Sequence, residues 1–322
     1  MTTKRLYETA ETLIYDPVAS NRNATRASLH SIGFRKVETT PSLDILADRL
    51  RSRPPDLLLA EVAGGESETC ATIQAVRQGH LGDNPFIVIV VTTWRRDGTI
   101  VGQVLNSGAD DLVARPVSTA GLGERIRLLI ERRKGFVVTH DYIGPDRRRD
   151  PRRPGAGCVE VPNPLKLRTL GSLAEEEAER QIVEAVQQGK DRINLEKVRR
   201  DSVQLCLQWR MLEQRTPGTR DFCEILPRMG RLASEMKRRA GLVKREAACQ
   251  WCDSVAESVE TLIALGERAE RSASGLDYRP TLSLLSQAAL ALGRMFAPEE
   301  VEPDRLVELE RIVSVRTARS AA

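Results

Sequence analysis

Four polar residues stand at the ends of apolar runs, where strands can hold them side by side. Asp16 follows TLIY, Glu61 follows DLLLA, Thr92 (with Thr93) follows FIVIVV, and Arg115 follows DLVA. Clustered carboxylates favour a hard divalent cation, and a guanidinium forks onto a carboxylate. The plainest role for Glu61 is that of a solvated acid at a strand end, and for Arg115 that of a surface cation. A second concentration of chemistry is DRRRDPRR, where Arg147, Arg148, Arg149, Arg152 and Arg153 are interspersed with two aspartates. Arginine forks onto phosphate, forks onto guanine O6 and N7, and stacks on bases. The third is Cys249-Gln-Trp-Cys252. A CxxC supplies two ligands where zinc takes four, so Cys206 and Cys223 would have to converge on it. Redox CxxC pairs start a helix after a strand. This one lies inside a helical pattern, and two small core residues one turn apart are expected.

Three regions position these residues. Residues 1–135 alternate β-rich runs with amphipathic stretches. The runs are 12–16, a weak one at 35–40, 56–62, 86–91 and 111–115, and helical patterns cover 19–32, 41–51, 66–78, 98–106 and 119–134. FIVIVV is apolar throughout, as a parallel strand covered on both faces must be. The alternation predicts an α/β fold, a five-stranded doubly wound parallel sheet. Ligands in such sheets bind beyond the carboxyl ends of the strands. Residues 136–170 are rich in Gly, Pro and Arg and read as a linker. Residues 171–322 are helical throughout and predict an all-α bundle. Ser172 with Glu175 forms a capping box, and Gly189 is placed to close that helix. Leu195, Val198, Leu205, Trp209 and Leu212 make an apolar seam that Ser202 interrupts. Further helices are expected near 220–239, 242–272, 281–296 and 303–317.

Bulk properties narrow the function. Hydrophobic residues make up 41% and charged residues 29%, which fits a folded chain. The net charge of +4 is too small to imply a polyanion partner, and nucleic acid is not expected as one. No run of about 18 apolar residues suggests a membrane span, and the N-terminus lacks a signal peptide's apolar core. A cytoplasmic location follows, with the six cysteines reduced. The three histidines are His30, His80 and His140. The helical region has none, so it offers no histidine for a phosphotransfer bundle.

LIYDPVASNR (13–22), PDLLLAEV (55–62), IVVTTW (89–94) and SGADDLVARPVS (107–118) resemble the receiver domain of bacterial response regulators, those of chemotaxis and two-component systems. The resemblance covers the first region only. It implies a site in which an acidic pair helps bind Mg²⁺, an aspartate on the third strand accepts a phosphoryl group, and a Thr and a Lys contact its oxygens. Asp16 matches one of the pair, and Thr92 matches the Thr. The other acid is replaced by Pro17, the acceptor by Glu61 and the Lys by Arg115, before the expected Pro116. The aromatic that often switches on activation would fall at Leu112. Pro17 has no ligand atom, and Glu is one methylene longer than Asp where positioning matters. Arg is bulkier than Lys. Aspartyl-type phosphorylation is therefore not expected, Mg²⁺ is doubtful with Asp16 as its only candidate ligand, and a Glu61–Arg115 ion pair is predicted. Trp94 falls where receivers present a partner surface.

Arg148-x-x-x-Arg152 and Arg149-x-x-x-Arg153 also have the spacing that opens the PilZ cyclic di-GMP domain, without its downstream Asp/Asn-x-Ser-x-x-Gly element. The expected function is signal transduction by an atypical, pseudo-receiver domain through protein contacts, made by the receiver face and the helical bundle. An effector binding cyclic di-GMP through residues 147–153 is the alternative. A structural adaptor, with the receiver fold as a homodimerisation module, is a third. No nucleophile–base pair or metal cluster suggests an enzyme, and no cofactor is expected.

Overall fold

The computed structural model describes residues 7–62, 66–95, 97–148, 157–170, 174–271, 276–309 and 311. The chain divides into two compact units, Met1–Lys190 and Asp191–Ala322.

The first unit is built on β1 (Glu11–Tyr15), β2 (Lys36–Thr40), β3 (Leu57–Glu61), β4 (Val88–Thr93) and β5 (Asp111–Ala114). They pair in parallel, in the order β2-β1-β3-β4-β5. Helices α1 (Ala19–Ile32), α2 (Leu43–Ser52), α3 (Glu66–Arg77), α4 (Gly98–Ser107) and α5 (Thr119–Arg132) alternate with them. Every residue of β3 and β4 is buried. Successive strand residues point to opposite faces, and each face has its own core. Leu58, Ala60, Ile89 and Val91 pack with Leu46, Ile73 and Val104. Leu57, Leu59, Val88 and Val90 pack with Leu29, Leu122 and Ile126. Ser42, Asp97 and Ser118 cap α2, α4 and α5 by accepting backbone N–H bonds, a usual start for a helix.

The expected linker is folded wherever it is described. β6 (Phe136–Val138), β7 (Ile143–Pro145) and β8 (Cys158–Val159) form an antiparallel sheet in the order β7-β6-β8, and α6 (Pro164–Leu170) follows. Phe136, Val138 and Ile143 are buried, and Leu165 joins the α1–α5 face of the core. Composition concealed this, because a few apolar residues sit widely spaced among Gly, Pro and Arg. Arg149, Arg152, Arg153 and Ser172 lie outside the described residues.

The unit boundary also differs from the expected breaks at 135 and 170. It falls inside α7 (Glu175–Glu213), one helix of 39 residues. Gly189 lies in that helix and does not end it. A Cβ there would meet Phe86 Cε2 and Pro162 Cδ at 2.7 Å, so glycine permits a close approach.

The second unit contains the rest of α7, α8 (Arg220–Leu242), α9 (Glu246–Arg271) and α10 (Arg279–Phe296). Its core joins Leu205, Trp209 and Leu212 to Phe222, Met229 and Met236, with Val255, Val259, Leu285 and Leu292. Ser202, the break in the seam, is buried and donates to the Arg199 carbonyl at 2.8 Å. Residues 303–309 are helical. Among the described residues no helix is long and apolar enough to cross a membrane.

Candidate functional site

Parallel strands place all their C-terminal ends at one edge of the sheet, and four side chains meet there. Asp16 follows β1, Glu61 ends β3, Thr92 is in β4, and Arg115 follows β5. Glu61 and Thr92 are register partners across β3 and β4. Glu61 Oε2 accepts from Thr92 Oγ1 at 2.5 Å and from Arg115 Nε at 2.7 Å. The Arg115 guanidinium also donates to Asp16 Oδ2 at 3.3 Å, Thr25 Oγ1 at 3.1 Å and Thr92 Oγ1 at 3.3 Å. Asp16 Oδ1 accepts from the Val18 amide at 2.8 Å. All five side chains are buried. The predicted Glu61–Arg115 pair is present, and Arg115 bridges both carboxylates.

The charge at this site is incompletely answered. Two carboxylates share one guanidinium, and Glu61 Oε1 is buried without a hydrogen-bond partner. Burial pushes the Glu61 carboxyl above its ordinary range, and the bonds from Thr92 and Arg115 only partly offset that. A cavity of about 50 Å³ lies alongside, lined in part by Thr25, Ser28, Thr92 and Arg115. Pro17 offers no side-chain ligand atom. Of the four carboxylate oxygens, Glu61 Oε1 alone accepts no hydrogen bond, while the other three each accept at least one. The donor set is a poor fit to Mg²⁺, which wants near-octahedral oxygen ligands.

Thr25 belongs to this network and was not anticipated. Its signal was its place one turn before Leu29 on the buried side of α1. Leu112 is half-buried and packs against the α2–α4 face of the core. Trp94, just after β4, is 54% exposed, and Val18, just after β1, is 45% exposed. They leave apolar surface on the two strands that flank β3.

The opposite end of β4 and β5 holds a second buried cluster. Asp110 accepts from Arg77 at 2.8 Å and from Arg133 at 2.8 and 3.0 Å. Arg77 also donates to the carbonyls of Pro85, Ile87 and Gly108, and Arg133 to those of Phe86, Ile87 and Pro162. The two guanidinium carbons lie 5.1 and 5.2 Å from the Phe136 ring centroid. Burial pushes the Asp110 carboxyl up, but Arg133 and Arg77 together outweigh it and hold it below the ordinary range.

The arginine run begins at this cluster. Arg147 donates to the carbonyls of Ala109 and Asp110, and Arg148 forks onto Asp146 at 2.8–3.1 Å. Both form bonds within the chain. The CxxC lies inside α9, where Cys252 is buried in the core and its thiol is pushed up to about 12 by burial. Among the described residues no group of three His, Cys, Asp or Glu is placed to hold a metal.

A doubly wound parallel sheet in the order β2-β1-β3-β4-β5 is the flavodoxin-like class. The first unit thus has a receiver-like fold, with polar residues at the ends of β1, β3, β4 and β5. No family model and no curated protein matches the sequence. Among solved structures, a response regulator from Thermotoga maritima is 22% identical, with 37% of this chain matching 95% of that one at a TM-score of 0.33. A response regulator receiver domain from Bermanella marisrubri is 19% identical, with coverages of 38% and 99% and a TM-score of 0.34. A protein named for pilus assembly from Burkholderia thailandensis is 15% identical, with coverages of 37% and 95% and a TM-score of 0.33.

Proposed function

We propose that the chain is a two-component-type signalling protein whose receiver-like domain works without phosphorylation of Glu61 and acts through protein contacts. The observation that carries this reading is the Arg115 guanidinium bridging Glu61 and Asp16 at 2.7 and 3.3 Å. It holds the place where a phosphoryl group and its cation would have to sit, and it already pairs with both carboxylates they would need. The domain changes state when Arg115 leaves the acids, and the exposed Trp94 after β4 presents that state to a protein partner. Exposed tryptophans are frequent anchors of protein interfaces. The chain is not an enzyme in this reading. Arg147 and Arg148 bond within the chain, and Arg149, Arg152 and Arg153, on which the cyclic di-GMP alternative also rests, lie outside the described residues.

Calorimetry of the full chain with Mg²⁺ and beryllofluoride tests the proposal. No saturable heat is expected. A Mg²⁺-dependent dissociation constant for beryllofluoride that Glu61→Ala abolishes would overturn it.

A further inference from the structure

The first unit carries a second feature at the N-terminal ends of its strands, away from Glu61. A groove of about 1280 Å³ runs between α7 residues 175–190 and the loops that lead into β1, β3 and β4. That volume exceeds the roughly 300–1,000 Å³ usual for small-molecule sites. The α7 wall spans four turns, roughly 22 Å at 1.5 Å per residue. The groove therefore has the length of a helix rather than that of a metabolite.

Its lining is both apolar and acidic. Ile182 and Val186 are buried along the α7 wall, Val183 is 60% exposed on it, and Pro54, in the loop before β3, also lines the groove. Seven lining residues are acidic and four are basic, a net charge of −3 in a chain whose total is +4. Four of the seven acids are answered internally: Asp56 and Glu179 by Arg168, Glu11 by Arg49 and Arg53, and Glu175 by Lys36. Glu176 and Asp83 are exposed and make no ion pair among the described residues. A long cleft with an apolar wall and unanswered acids fits the helix-in-groove mode of recognition.

We propose that this groove docks a basic amphipathic helix of a partner protein. The partner's apolar side, repeating at i, i+3, i+4 and i+7, lies on Val183, Val186 and Pro54. Its lysines or arginines flank that side and meet Glu176, Glu184 and Asp83. This site is independent of the Glu61 network, so either proposal survives the failure of the other.

The test uses the full chain and a fluorescent 18-residue Leu/Lys amphipathic peptide at physiological salt. Two controls keep its composition or pattern: one has Glu in place of Lys, the other a scrambled order. Saturable binding of the first peptide alone is expected, with hydrogen-exchange protection across residues 176–190. Val183→Asp and the double variant Glu176→Lys/Glu184→Lys should each weaken binding at least tenfold. Val307→Asp, at a comparably exposed position in the second unit, should not. Thermal melts confirm that each variant is folded. Absence of binding, equal binding of a control peptide, or unchanged affinity in the groove variants overturns the proposal. So does a chain that sediments as a dimer and becomes monomeric with Val183→Asp, because the occupant would then be a second copy.

Discussion

The two ends of the β4–β5 pair carry inverted arrangements of the same groups. At the C-terminal end, two carboxylates share the single guanidinium of Arg115, and Glu61 Oε1 is left without a partner. At the N-terminal end, two guanidiniums share the single carboxylate of Asp110, and their remaining donors go to backbone carbonyls. The difference lies in what completes the hydrogen bonding. Carbonyls are abundant where strands and loops begin, so the surplus donors of Arg77 and Arg133 find acceptors. The acid-rich end has no comparable supply of donors for its surplus oxygen. A buried network in which every polar atom is matched locks its surroundings, and one with an atom to spare keeps an alternative arrangement accessible. The carboxylate of the arginine-rich end is fully bonded, and the acid-rich end keeps one unmatched oxygen.

That contrast can be broken by measurement. Asp110→Asn removes the one charge that answers Arg77 and Arg133, and uncompensated buried charges cost about 3–5 kcal/mol. Urea denaturation should show a loss of that size. A loss below about 1 kcal/mol would mean the arginines are sustained by carbonyls alone. Gly189→Ala probes the packing around Phe86 at the same end. The alanine favours the helix by about 1 kcal/mol, but its Cβ is 2.7 Å from Phe86 and Pro162, and overpacking costs about 1–3 kcal/mol. A lower melting temperature is expected, and a higher one would show that Phe86 moves freely.

The smallest stability effect is expected from Glu61→Gln, because Asp16 still pairs with Arg115 and an amide oxygen can still accept from Thr92. Its cost should stay within about 1 kcal/mol in the same denaturation series. The pH dependence of the two ends should have opposite signs. Burial raises Glu61 above its unfolded value of 4.5, so the native chain keeps a proton that the unfolded chain has released. Stability then falls as pH rises above about 4.5, and Glu61→Gln should flatten that fall. Asp56, pushed up to about 6 by burial ahead of its bonds to Arg168 and Glu11, acts in the same direction between about 4 and 6 and persists in the variant. Asp110 is held low, so its contribution is present above its unfolded value of 3.8 and disappears as pH drops through the folded value. Denaturation midpoints for the wild type and both variants at stepped pH separate these contributions.

Much of the first unit was legible because its strands are extreme. FIVIVV admits no exposed face, and its C-terminal Thr92 aligned the other strand ends. Asp16, Glu61, Thr92 and Arg115 could thus be grouped from positions far apart in the chain. The Arg77–Asp110–Arg133 cluster was not legible. Arg77 and Arg133 fall at or just past the C-terminal ends of helices, where a cation reads as a solvated partner of the helix dipole. Nothing local distinguishes them from Arg132. The β6–β7–β8 sheet was hidden for a related reason. Its strands have three, three and two residues, too short for an alternating pattern to emerge from a Gly- and Pro-rich segment. Gly189 misled because a glycine that admits a neighbouring ring looks the same in sequence as one that ends a helix.

The small sheet also bears on how the molecule can be divided. A chain cut after α5, at residue 135, would keep all five parallel strands yet lose Phe136, the ring that both Arg77 and Arg133 cover. It would also lose the Pro162 carbonyl that receives Arg133 and the Leu165 side chain that completes one face of the core. The excised piece would carry two buried cations over an open hole. The self-sufficient module is therefore longer than its central fold, and its portability depends on a stretch that looks expendable by composition.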